Sequence, residues 1–209
     1  MDYLKELIER YPRLAVCEES IYSAYEILKT VYESYGKVLI AGNGGSAADA
    51  DHITGELMKS FVKKRKTPDA FYQSLLGVTD KETAAVLSEK LERGLPAINL
   101  TNHNAVITAS INDIGAKTMY AQQLYSYARE NDAFIGISTS GNSENVYYAM
   151  LTAKAMGVKT IALTGGSGGK LAKTADVTIK APETETYKIQ ELHLPVYHCV
   201  CLMLEEYFF

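Results

Sequence analysis

The chain has 209 residues, of which 47 % are hydrophobic and 22 % charged, and its 21 basic and 25 acidic residues leave a formal net charge of −4. These are the proportions of a globular protein, which excludes a disordered chain, and the mild acidity is a poor match to a nucleic-acid backbone, so no nucleic-acid partner is expected. No apolar run approaches about 18 residues, and MDYLKELIERYPRL contains no uninterrupted apolar core; neither a membrane span nor a secretory signal is expected, and the length suits one domain over residues 1–209, in the cytoplasm. Cys17, Cys199 and Cys201 are too few for a disulfide framework and read as core residues.

In chain order, residues 2–34 read as helical, with Leu4, Leu7, Ile8, Ile21, Ala24, Tyr25 and Leu28 at spacings of three and four and Pro12 dividing a short helix from a long one. Val38–Ala41 is a short apolar run, too short for a helix, that leads into Gly42-Asn43-Gly44-Gly45-Ser46; helical periodicity resumes over 47–61. Residues 63–95 break the rhythm. Lys63–Lys66 reads as a solvated basic loop, and Lys81 opens an amphipathic helix ending at Gly94, so 66–92 is read as an insertion. Further apolar runs begin at Ala97, Ala133, Thr160 and Val177, most of them separated by helical patterns. Alternation of this kind predicts an α/β fold with a parallel sheet covered by helices on both faces, most simply in the flavodoxin-like strand order.

Three strand-to-loop transitions are rich in small polar residues: 42–46, Ser138–Ser143 and Thr164–Gly169. In an open parallel sheet such loops lie beyond the carboxyl ends of the strands, where ligands bind, and glycines let the backbone approach an anion. The hydroxyls of Ser138, Thr139, Ser140 and Ser143 add uncharged donors suited to a phosphate monoester. No loop matches the P-loop or the dinucleotide fingerprint, so a nucleoside triphosphate is not indicated. His52 and Glu56 stand four apart on the helix leaving the first loop, a spacing that suits half a metal site and equally a surface ion pair. Gln190, Glu191, His193 and His198 crowd the C-terminal segment, where His198, flanked by Tyr197 and Cys199, reads as either a ligand or a core histidine.

GNGGS followed by Asp49, His52 and Glu56, then ISTSGNSENV, then ALTGGSGGKLAKTADVTI, then IQELH with His198 five residues on, resembles the sugar isomerase (SIS) domain of the phosphoheptose isomerase family over roughly residues 30–209, the insertion apart. The resemblance implies a three-layer α/β/α sandwich with a five-stranded parallel sheet, assembled as a homotetramer with sites at subunit contacts. It implies conversion of sedoheptulose 7-phosphate to D-glycero-D-manno-heptose 7-phosphate. His52, Glu56, Gln190 and His198 match the family's zinc positions, and Glu56 and His198 would be its proton-transfer pair. Asn43, Gly44, Gly45, Ser46, Glu56, Asn112, Asp113, Ser138, Thr139, Ser140, Ser143 and Gln190 fall at its substrate-binding positions.

Isomerising a 2-ketose moves a proton from C1 to C2 through an enediol, work that suits a carboxylate and an imidazole, with a metal to polarise the carbonyl. Gln190 and His198 are eight residues apart, about 12 Å along a helix, with Pro195 between them. Either a helix distortion closes that gap or one ligand comes from another subunit. The insertion, Pro195, and Thr186-Tyr187-Lys188 where the family often has Ala-Asp-Arg depart from the pattern and bear on substrate identity. A non-catalytic sugar-phosphate-binding module and an isomerase of another phosphosugar are the competing readings.

Overall fold

The computed structural model describes residues 2–209. Helices α1 (Tyr3–Arg10) and α2 (Glu18–Glu33) flank a 3-10 turn at Pro12–Cys17. The Lys5 amide donates to Asp2 Oδ1 at 3.1 Å, capping α1. Pro12 begins the 3-10 turn, where its missing N–H costs nothing. Strand β1 (Val38–Ala41) leads into α3 (Gly45–Met58). Helices α4 (Asp69–Leu76) and α5 (Lys81–Lys90) precede β2 (Ala97–Asn99). Then come α6 (Asn104–Asp113), a 3-10 turn (Ala116–Thr118), α7 (Met119–Tyr127) and β3 (Ala133–Ile137). The chain closes with α8 (Glu144–Ala155), β4 (Lys159–Gly165), β5 (Val177–Ala181) and α9 (Thr186–Phe208).

The five strands pair in parallel in the order β2-β1-β3-β4-β5, the flavodoxin-like order expected from the alternation of runs. Successive strand residues face opposite layers, as the pleat requires. Val38, Ile40, Ile135 and Ile161 join the apolar layer built with α1, α2, α3 and α9. Leu39, Ala41, Phe134 and Ala162 join the layer built with α7 and α8. All three cysteines are free and buried among these apolar residues, and burial pushes the Cys199 thiol up to about 12. No helix among the described residues is long and apolar enough to cross a membrane.

Four details differ from expectation. Helix α4 has no buried residue, so it carries no core-facing stripe that periodicity could reveal. Helix α5 stops at Lys90, short of Gly94, because Leu91 turns extended and Glu92 pairs antiparallel with Lys66 at the base of the α4–α5 hairpin. The basic run is not all solvated: Arg65 is only 2 % exposed. Its Nε donates to Glu205 at 2.8 Å, and its two other nitrogens donate to the Leu57 and Glu56 carbonyls at 2.7 and 2.9 Å. Burial alone would raise the Glu205 carboxyl, but the amides of Phe61, Val62 and Lys63, together with Arg65, hold it below the usual range. Finally, α9 runs unbroken through Pro195. The carbonyl that loses its partner there belongs to the exposed residue Glu191.

Candidate active site

The strand order reverses between β1 and β3, and the loops leaving those two strands lie side by side at that switch point. The second loop gathers three hydroxyls: Ser138 Oγ lies 2.9 Å from Ser143 Oγ and 3.5 Å from Ser140 Oγ. They sit at the N-terminus of α8, where unpaired backbone N–H groups favour an anion. Ser138 is buried, Thr139 and Ser143 half-buried and Ser140 exposed, so the cradle opens outward.

The first loop is locked to the start of α8, just past the second loop, by a reciprocal pair of side-chain hydrogen bonds, both 2.9 Å, between Asn43 and Asn145. Tyr120 of α7 donates to the Gly42 carbonyl at 2.8 Å and fixes the loop from behind. Gly44 and Gly45 are exposed at the mouth, while Ser46 is buried and its amide donates to the Asn43 carbonyl at 3.1 Å. A Cβ on Gly45 would come within 2.5 Å of the Gln190 amide, so this glycine is what lets Gln190 lie against the loop.

The third loop lies directly against the second. Its backbone packs on the second loop: the Leu171 amide donates to the Gly141 carbonyl and the Lys170 amide to Asn142 Oδ1, both at 3.0 Å. A Cβ on Gly141 would meet the Gly168 carbonyl at 2.1 Å. The third loop is therefore a buttress. Asn112 and Asp113 lie exposed at the end of α6, bonded to each other at 2.7 Å. No hydrogen bond joins them to the hydroxyl cradle among the described residues, although the following 3-10 turn is tied to α8 by Lys117–Glu144 at 2.8 Å.

The remaining residues line the seam where α3 meets α9. Gly45, Asp49, His52 and Glu56 recur at three and four, one stripe of α3. His52 Nε2 lies 3.1 Å from Glu56 Oε1 and 3.4 Å from His198 Nε2. His52 Nδ1 lies 3.0 Å from the Tyr197 hydroxyl, which also reaches Asp49 Oδ1 at 3.3 Å. Burial, then the nearby His52 ring, lowers the His198 pKa, with Glu56 opposing. Burial raises the Asp49 carboxyl against the pull of Tyr197 and His52. Asp49 Oδ2 is buried with no hydrogen-bond partner. So the structure brings His52, Glu56 and His198 together, while Gln190 lies with the first loop instead.

The spacing can be tested against a tetrahedral zinc site. With bonds of about 2.0–2.1 Å, two ligand atoms on such an ion sit about 3.3 Å apart. The 3.4 Å and 3.1 Å separations around His52 Nε2 agree with two edges of that figure. Among the described residues no three His, Cys, Asp or Glu side chains gather closely enough to hold a metal ion, so what fits zinc is the two pairwise spacings around His52 and not an assembled ligand set. Sequence reasoning missed Tyr197, which carries no motif. It noticed Asp49 only within a pattern, although its place on the His52–Glu56 stripe was a usable signal.

An SIS domain model matches residues 87–165. The phosphoheptose isomerase of Aneurinibacillus thermoaerophilus is 36 % identical over 100 % of this chain and 95 % of its own length, and that of Nitratiruptor is 38 % identical over 98 % and 97 %. The solved phosphoheptose isomerase of Francisella tularensis superposes with a TM-score of 0.77 at 31 % identity, covering 98 % of this chain and 95 % of that one. The Neisseria gonorrhoeae enzyme gives 0.75 at 30 %, covering 97 % and 94 %. Identity at this level over nearly the full length of both partners carries more than a shared fold: the chain belongs to the phosphoheptose isomerase family.

Proposed function

We propose that the chain interconverts sedoheptulose 7-phosphate and D-glycero-D-manno-heptose 7-phosphate, with the phosphate in the Ser138–Ser143 cradle and the reacting carbons at the α3–α9 seam. The observation that carries this reading is the placement of an imidazole–carboxylate cluster seven residues down α3 from Gly45, about 10 Å at 1.5 Å per residue. An extended seven-carbon phosphate can bridge such a gap, with the intervening hydroxyls passing Asn43, Ser46 and Gln190.

Glu56 takes a proton from C1 of the ketose, the C1–C2 enediol forms as the carbonyl electrons move to oxygen, and the proton returns to C2. His198, whose pKa is lowered by burial and by the nearby His52 ring, moves the proton between the two oxygens. His52, Glu56 and His198 are the residues that would hold zinc, which when bound supplies polarisation of the carbonyl and stabilisation of enediolate charge. Ligation lowers the basicity of Glu56, so its two roles compete.

Gln190 sits against the first loop, away from His198 on the same uninterrupted helix, which supports a homotetramer whose second copy completes the site; light scattering tests it. A cytoplasmic address suits an enzyme of sugar-phosphate metabolism. The chain acts as one SIS unit embellished by the α4–α5 hairpin. The experiment is NMR of sedoheptulose 7-phosphate incubated with zinc-loaded and with chelated protein. An aldoheptose 7-phosphate that forms only with the metal is expected; no turnover by the zinc-loaded protein overturns the assignment.

A further inference from the structure

We propose that Lys117, Glu144 and Lys170 form a charged rim on the hydroxyl cradle that draws in a phosphate dianion, which takes Lys117 over from Glu144. The inference deepens the reading of Ser138–Ser143 as the phosphate site and rests on it. The cradle itself contains no cation. Its donors are serine and threonine hydroxyls and the first amides of α8, which orient an anion without offsetting its charge. Ser140 Oγ accepts the Asn142 amide at 3.2 Å, so its own proton is free for a ligand.

Three charged side chains stand at the edge of this cradle. Glu144 follows Ser143 directly and opens α8. A carboxylate there suits the positive end of a helix, but alone it would repel a second anion at the same terminus. Lys117, on the 3-10 turn before α7, places its Nζ 2.8 Å from Glu144 Oε2. Lys170 comes from the third loop, and its amide donates to Asn142 Oδ1 at 3.0 Å while the Asn142 side chain donates to the Ser140 carbonyl at 2.9 Å. The Lys170 ammonium lies 5.4 Å from the centre of the Tyr147 ring, one turn along α8 from Ser143. The hydrogen bond from Lys117, then its charge, with Lys170 behind them, hold the Glu144 carboxyl below its usual range.

Two ammonium groups against one carboxylate leave the rim positive. The Lys117–Glu144 pair is also exposed, at 61 % and 45 %, and such pairs contribute little to stability and exchange partners readily. A phosphate dianion carries more charge than Glu144 and three acceptor oxygens, so it competes for the same ammonium. A lysine, a compact charge on a flexible stem, suits that exchange.

The test is inorganic phosphate binding followed by 31P line broadening, at a pH where the ion is dianionic; it needs neither turnover nor metal. In about 10 mM salt, Lys117→Gln and Lys170→Gln are each expected to weaken binding about 2- to 5-fold, and Glu144→Gln to tighten it by a similar factor. In about 1 M salt, where charges are screened within about 3 Å, all three should converge on wild type. The three side chains are exposed, so none of these substitutions opens the core. Opposite signs separate charge from architecture: if the pair merely fastened the 3-10 turn to α8, losing either partner would act in the same direction. Lysine variants that bind like wild type, or a Glu144→Gln variant that binds more weakly, overturn the rim and leave the cradle standing. Ser140→Ala, which removes a cradle hydroxyl, ties the signal to this site. Wild-type protein that binds no phosphate, or a Ser140→Ala variant that binds it equally well, overturns the cradle reading and the rim with it.

Discussion

Two polar clusters occupy the same α3–α9 seam, separated by seven residues of α9 between His198 and Glu205, about 10 Å. They are built in opposite ways. At Arg65–Glu205, both carboxylate oxygens are bonded, by Arg65 and the amides of Phe61, Val62 and Lys63, and the guanidinium spends its other nitrogens on two carbonyls. At Asp49–Tyr197–His52–His198, one carboxylate oxygen has no partner, and potential ligand atoms face each other. A buried charge that is fully partnered is architecture, whereas polar atoms left short of donors await a proton, a substrate or a cation. Each cluster turns on a carboxylate held at the seam, and what separates them is how far its oxygens are satisfied.

The largest effect expected at the unsatisfied end is on chemistry. Glu56→Ala and His198→Ala should each lower turnover by about 10²- to 10⁴-fold while leaving the denaturant midpoint close to wild type. Wild-type rates in both variants would break the contrast. At the satisfied end Glu205→Ala should act the other way. It strands the Arg65 charge in the interior, and urea unfolding should report a loss of about 3–5 kcal/mol.

Between these lies His193, on the same helix, with Nε2 3.2 Å from the Thr164 carbonyl and Nδ1 unpartnered. Burial lowers its pKa from 6.5 to about 4, against the pull of that carbonyl. The unfolded chain therefore takes up the proton first as pH falls. The resulting loss of stability begins near pH 6.5, grows to on the order of 3 kcal/mol by pH 4, and is flat below that. His193→Gln should flatten this portion of a stability–pH profile, and an unchanged slope would assign it to other groups. The smallest effect belongs to the cradle. Ser140→Ala should raise KM about tenfold, the worth of one hydrogen bond to a charged group, with kcat nearly unchanged; an unaltered KM would remove Ser140 from phosphate binding.

The sheet was legible in the sequence because its strands are short apolar runs separated by turns and helical patterns, and Val38–Ala41 and Ala133–Ile137 could be bounded to the residue. The hydroxyl cradle was legible for the same reason, being contiguous in the chain. Helix α4 was not, since it buries nothing and leaves no periodic stripe. The buried state of Arg65 was hidden because its partner lies 140 residues away, and a basic run looks identical whether one member is folded inward or not. Tyr197 escaped notice for a related reason: its value comes from Asp49 and His52 on another helix. Composition marks what a segment can do locally, while pairing across α3 and α9 is decided by how the two helices meet.

Helix α9 spans Thr186–Phe208 without interruption, and it presents Gln190, His193, Tyr197, His198 and Glu205 to five different tasks. Helical phase is therefore a shared constraint. Inserting or deleting one residue after Pro195 would turn everything downstream by about 100° and slide it by about 1.5 Å, carrying Glu205 away from the 61–63 amides and Arg65 in the same event that misaligned His198. The α4–α5 hairpin, closed at its base by the Lys66–Glu92 bridge, has no such coupling and can lengthen or shorten at little cost. Within this protein, then, one segment can drift in length while the other is free to vary only in spelling.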